Sequence, residues 1–188
     1  MRDIKIPKLL CTHESGEPFR ECIICHRDLM KNGTSYFIEK AFRRYPGYAA
    51  QDVVFEYAMC TRCVEDMRKE LSKESLQRLQ EYFSSKVDPH QQVERLLRYD
   101  ETDIDPWISQ CFITGEPVKT MEEYVVCAHC NGTNLSLSFM PPYAISGKAM
   151  DEMTGLLSSK SLGIIDDFMG SYFTGPPEFN DILRPVIF

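Results

Sequence analysis

The chain has 188 residues, of which 43% are hydrophobic and 26% charged, with a formal net charge of −7. That balance suits one globular domain or two small ones and excludes disorder over most of the length. No apolar run approaches the roughly 18 residues of a membrane span, and the opening stretch is too short in apolar residues, and broken at Pro7, for a secretory signal.

A soluble, cytoplasmic protein is therefore expected, with no membrane partner. Charge is uneven: residues 1–86 carry 15 Lys and Arg against 13 Asp and Glu, and residues 87–188 carry 6 against 15. Neither half has the cationic excess of a strong polyanion binder. In a reducing compartment a Cys-x-x-Cys pair reads as a metal or redox site rather than a staple. Three pairs occur, Cys22/Cys25, Cys60/Cys63 and Cys127/Cys130, while Cys11 and Cys111 stand alone.

In chain order, Cys22-Ile23-Ile24-Cys25 predicts a tight turn ahead of two strands. Residues 35–40 and 53–59 are rich in β-branched and aromatic side chains, as the arms of a hairpin are. Between them Lys40, Arg43, Arg44 and Tyr45 form a basic and aromatic loop that ends at Tyr48. Such a loop stacks bases and contacts phosphates in some proteins; packing of its aromatics against the rest of the chain is the favoured reading. From Thr61 the period changes, and Val64, Met67 and Leu71 recur at helical spacing. Ser72 caps a second predicted helix carrying Leu76, Leu79 and Phe83.

An acidic linker over 87–106 follows, with a short helix suggested by Val93, Leu96 and Leu97. Its acids lack the Gly and distal Glu of a calcium loop. Beyond it, Ser146 and then Ser158 or Ser159 can each open a helix, the first with Met150, Met153 and Leu157, the second with Leu162, Ile165 and Met169. The apolar stretch 182–188 is expected to dock on the fold.

Parts of this order occur twice. Glu56-Tyr57-Ala58-Met59-Cys60-Thr61-Arg62-Cys63 parallels Glu123-Tyr124-Val125-Val126-Cys127-Ala128-His129-Cys130 at an offset of 67. At an offset of 86, Met67 parallels Met153, Leu71-Ser72 parallels Leu157-Ser158, Ser75-Leu76 parallels Ser161-Leu162, and Leu79 parallels Ile165. Upstream, Cys111-Phe112-Ile113-Thr114 corresponds to Cys22-Ile23-Ile24-Cys25. The expectation is an α+β fold of two related zinc-finger-like modules, each a β-hairpin followed by two helices. The units are 1–86, the linker 87–106, and a degenerate second copy in 107–188 with an insertion over 131–149.

Zinc takes four soft ligands in a tetrahedron, and Cys22, Cys25, Cys60 and Cys63 supply them. The second pair falls where strand gives way to helix, where the dipole favours thiolate. A knuckle, a hairpin, then Cys-x-x-Cys leading a helix resembles the treble-clef class of zinc finger, from Cys22 to about Leu71. The resemblance implies a fold and a structural Zn²⁺ and names no activity. Cys111, Cys127 and Cys130 are candidates for a second metal, with Cys11, His13 or His90 as a fourth donor. The competing reading packs these cysteines as small hydrophobes. His26 reads as a surface residue beside the first site. No phosphate loop or zinc-protease motif is present. The favoured function is a structural-zinc protein serving interaction or regulation, with a protein partner. The alternatives are a nucleic-acid binder using the 40–48 loop and a thiol oxidoreductase using Cys127 and Cys130.

Overall fold

The computed structural model describes residues 4–45, 47–48, 50–87, 103–137, 141–173 and 185. The suggested helix at 93–97 lies outside them, as does the tail 182–188 apart from Pro185. Six antiparallel strands form one sheet: β1 (Ile4–Lys5), β2 (Ser35–Arg44), β3 (Gln51–Cys60), β4 (Glu123–Asn131), β5 (Asn134–Leu135) and β6 (Tyr143–Ser146). The order across it is β1-β5-β4-β2-β3, with β6 also paired to β4. Five α-helices are described: α1 (Thr61–Glu70), α2 (Lys73–Lys86), α3 (Asp105–Ile108), α4 (Gly147–Thr154) and α5 (Ser159–Tyr172). Among the described residues no helix is long and apolar enough to cross a membrane.

β2 and β3 are the predicted hairpin, turning at Tyr45–Tyr48, where Tyr48 N–H donates to the Tyr45 carbonyl at 3.0 Å. Gly47 has φ 84°, a left-handed conformation that glycine adopts without Cβ strain. β2 pairs β3 on one side and β4 on the other, so 1–86 and 107–188 share one sheet. Both central strands are covered on both faces: 38–42 of β2 and 124–130 of β4 are buried throughout. That is why Tyr124–Ala128 of β4 runs almost wholly apolar instead of alternating, and why β2 buries Glu39 and Lys40 along with its apolar residues.

One line of side chains crosses four strands on a single face. Register places Tyr57 beside Glu39, Glu39 beside Cys127, and Cys127 beside Tyr143. Tyr57 Oη donates to the buried Glu39 carboxylate at 2.6 Å. The aromatic ring of Phe168 on α5 covers Tyr57, with centroids 5.4 Å apart.

The helices start where the serines predict. Ser72 Oγ accepts from Ser75 N–H, Ser146 Oγ from Ala149 N–H, and Ser158 Oγ from Ser161 N–H. The α2 and α5 starts also meet each other. Ser72 N–H donates to Ser161 Oγ at 3.0 Å, and Ser158 N–H donates to Ser75 Oγ at 2.8 Å. Ser158 Oγ lies 2.9 Å from Ser72 Oγ. Two positive helix ends thus share four hydroxyls, two of which (Ser75 and Ser161) are fully buried. Loss of a cap costs about 0.5–2 kcal/mol. Ser72→Ala and Ser158→Ala should each fall in that range by urea denaturation. The double variant should depart from additivity by 0.5 kcal/mol or more in either direction, since the two share hydrogen bonds.

Candidate metal centre

The first knuckle is built from backbone. Cys22 N–H donates to the Arg27 carbonyl at 3.0 Å, and His26 N–H returns to the Cys22 carbonyl at 2.9 Å. Ile23 N–H reaches the Ala58 carbonyl on β3 at 2.9 Å, which fastens the turn to the edge of the sheet. The turn closes through His26 at φ 55°, and the His26 ring stands exposed, 3.7 Å from Glu21. Cys60 ends β3 and sits at the N-cap of α1, and Cys63 lies in its first turn. Cys60 N–H donates to Cys22 Sγ at 3.3 Å, which aims the knuckle sulfur at the helix start.

The result is a set of four sulfurs, Cys22, Cys25, Cys60 and Cys63, all within 4.8 Å of one another. Four sulfurs each about 2.3 Å from one ion lie about 3.8 Å apart along the tetrahedron's edges. Cys25 Sγ and Cys60 Sγ are 3.7 Å apart. The set can hold one metal ion. Without a cation its surroundings oppose ionisation of two of the four thiols. Burial pushes Cys60 and Cys63 above the ordinary thiol range. Burial raises Cys25 as well, but the Arg27 N–H and the neighbouring thiols outweigh it and bring Cys25 down to about 7. Adjacent thiols oppose one another's ionisation, and a bound cation removes that opposition. α1 also lacks the side-chain cap that serine gives α2, α4 and α5. Thiolate charge at its N-terminus, as a bound cation would favour, would offset the exposed end of the dipole.

The other described candidates do not gather, and His90 lies outside the described residues. Among the described residues this is the sole group of three or more His, Cys, Asp or Glu placed to hold a metal. Cys127 and Cys130 lie within β4, which runs on to Asn131, instead of at a strand-to-helix junction like that of Cys60 and Cys63. Three strand residues span about 10 Å, and an odd spacing puts the two thiols on opposite faces. Cys127 stands beside Glu39 and is hydrogen-bonded by Tyr143, and Cys130 pairs in register with Tyr36. A disulfide needs Cα atoms within roughly 7 Å, so the oxidoreductase alternative has no redox pair. Burial pushes both thiols up, Cys130 to about 12 and Cys127 well above the thiol range, with the Glu39 charge adding to the latter. Cys111 sits in a turn of its own, hydrogen-bonded to Thr114 and Ser146.

The basic segment expected as a loop is mostly strand, with Lys40, Arg43 and Arg44 in β2, and it is engaged from within the chain. Lys40 is buried on β2, its Nζ 2.7 Å from the Cys11 carbonyl and 2.8 Å from Glu56 Oε2. Arg43 Nε donates to Glu123 at 2.7 Å across the β2–β4 seam. Arg44 donates to Gln51 and to the Val118 carbonyl, and lies over the Tyr124 ring. Tyr45 Oη donates to Asp52 at 2.9 Å.

Two contributors escaped the sequence reading. The carbonyl of Ala58 and the N–H of Arg27 serve the knuckle through backbone atoms, which side-chain letters do not report. Searches against protein families, curated proteins and solved structures find no match to this chain.

Breaking a buried ion pair by removing one partner costs about 3–5 kcal/mol. Lys40→Ala should destabilise by about that much in chemical denaturation. Arg44→Ala, which loses half-exposed hydrogen bonds, should cost about 1 kcal/mol. Equal and negligible effects would mean that Lys40 is not held as described.

Proposed function

We infer that the chain is a structural-zinc protein serving as an intracellular interaction or regulatory module, with another protein as its partner. The observation that carries this is the four-sulfur set at the meeting of knuckle, β3 and α1. Four thiolates suit Zn²⁺, and four protein ligands close the site, leaving no position for substrate or water. The ion's work is then to hold the turn at 22–25 to the strand and helix that present Cys60 and Cys63.

The choice of partner rests on charge and exposure. Lys40, Arg43 and Arg44 are each bound to oxygens of this chain, so phosphate contact would first have to break those bonds. Tyr48 stands 77% exposed at the tip of the β2–β3 hairpin, and exposed aromatics are enriched at protein interfaces.

The architecture is read as two treble-clef-like units. Each half runs knuckle, long strand, returning strand, helix, helix. In this alignment β4 corresponds to β2, and β6 to β3, so Tyr143–Ser146, within the stretch read as an insertion, is the returning arm of a hairpin. Met67 and Met153 are buried on α1 and α4, and Leu79 and Ile165 on α2 and α5.

Metal analysis should find one zinc per chain, released as pH falls because ligating thiols must be ionised. Structural zinc contributes on the order of 10 kcal/mol of apparent binding free energy, much of it realised as folding. Cys60→Ala should lose the metal and destabilise the first unit. A variant that melts like the wild type sinks the assignment. Fluorescence anisotropy with labelled oligonucleotides should show no binding tighter than the non-specific range of roughly 10⁻⁴–10⁻⁶ M. Submicromolar binding at near-physiological salt, lost in Arg43→Ala/Arg44→Ala, would put nucleic acid ahead of protein as the partner.

A further inference from the structure

The turn at Cys111 repeats the first knuckle bond for bond. Cys111 N–H donates to the Glu116 carbonyl at 2.8 Å, as Cys22 N–H does to Arg27 at 3.0 Å. Phe112 N–H reaches the Ala144 carbonyl on β6 at 2.7 Å, as Ile23 N–H reaches Ala58 on β3 at 2.9 Å. Gly115 N–H returns to the Cys111 carbonyl at 2.9 Å, the same length as the bond from His26 to Cys22. Gly115 and His26 both have positive φ, 72° and 55°. The most telling bond is the last: Ser146 N–H donates to Cys111 Sγ at 3.3 Å, the length of the Cys60 N–H bond to Cys22 Sγ.

These bonds fix which residues correspond. Cys111 stands for Cys22, Thr114 for Cys25, Ser146 for Cys60 and Ala149 for Cys63. Exposure follows the same order: Cys22 and Cys111 are buried, Cys25 and Thr114 exposed, Cys60 and Ser146 buried. Cys60 and Ser146 are both N-caps that follow a strand. Where the first knuckle has thiols, the second has hydrogen bonds. Ser146 Oγ caps α4 by accepting from Ala149 N–H at 3.3 Å, and it lies 3.6 Å from Cys111 Sγ. Thr114 N–H donates to the same sulfur at 3.4 Å.

We propose that the second knuckle is a tetrathiolate metal site whose backbone frame persists while three of its four ligands have been replaced. Its metal has given way to a serine cap and a hydrogen-bonded thiol. The inference rests on the two-unit reading and goes beyond it by locating the vacant ligand positions at 114, 146 and 149. It assigns Cys127 and Cys130 no part in that site. The ligand such a frame takes is a thiophilic divalent cation in tetrahedral coordination, Zn²⁺ or its spectroscopic substitute Co²⁺.

The test is Co²⁺ titration under reducing conditions of the wild type and of Thr114→Cys/Ser146→Cys/Ala149→Cys, followed by sulfur-to-cobalt charge-transfer absorbance. The wild type should bind one Co²⁺ and the triple variant two, with the absorbance about doubled. A folded triple variant that binds no more than the wild type overturns the proposal. Ala149 is fully buried, so a thiol there risks misfolding. Thr114→Cys/Ser146→Cys avoids that position and, with Cys111, still offers three thiols. One additional Co²⁺ in this variant supports the proposal, and none overturns it. Loss of the fold in both variants with excess metal also overturns it, because the frame then does not accept the ligands. The wild-type value separates the two readings. A wild type with no metal removes the first centre, while the gain from wild type to variant still reports on the second.

Discussion

The pairing of β2 with β4, from Ser35 opposite Asn131 to Arg43 opposite Glu123, is the constraint from which the other parts take their positions. It joins segments some 90 residues apart in sequence and leaves each strand a free side for its own partner, β3 or β6. It also explains the burial of charged groups. Lys40 and Glu39 project from adjacent positions onto opposite faces of a strand covered on both sides, so neither reaches water. Each is met from within: Glu39 by Tyr57, and Lys40 by Glu56 and the Cys11 carbonyl. The N-terminal segment thereby becomes part of the cover of the sheet, and is tied again where His13 N–H donates to Glu56.

A good deal of this was legible in the letters. The two Cys-x-x-Cys pairs that cluster, the hairpin arms and the serine starts of α2, α4 and α5 are local signals, because a Cys-x-x-Cys pair, a cap or a strand period is written within a few residues. What failed was the octapeptide comparison that set Cys127 and Cys130 opposite Cys60 and Cys63. Eight similar residues do not specify a partner strand, and β4 continues as strand because no helical period follows Cys130. The offset of 86 between Ser72 and Ser158, carried back, reaches Ser146 opposite Cys60 and Ala149 opposite Cys63. That offset points to the alignment proposed above. The engagement of Arg43 and Arg44 was not legible, because Glu123 and Val118 lie more than 70 residues away in sequence.

The helix starts illustrate two solutions to one problem. An α-helix begins with unpaired N–H groups and a positive end. At α2 and α5 hydroxyls meet both, and the two ends are close enough to share them. At α4 a lone serine does it, backed by the Cys111 sulfur. At α1 no side chain does, and two of the four clustered cysteines, Cys60 and Cys63, occupy that place.

That difference makes α1 a strut with unlike ends. Ten residues of helix measure about 15 Å, and Leu71 alone separates its last residue from the Ser72 cap. A cation among the four sulfurs would pin the first turn of α1, which has no side-chain cap of its own. The serine junction at its far end braces α2 against α5. A single helix therefore spans from the four-cysteine cluster to the point where two helices from opposite halves of the chain lean on one another.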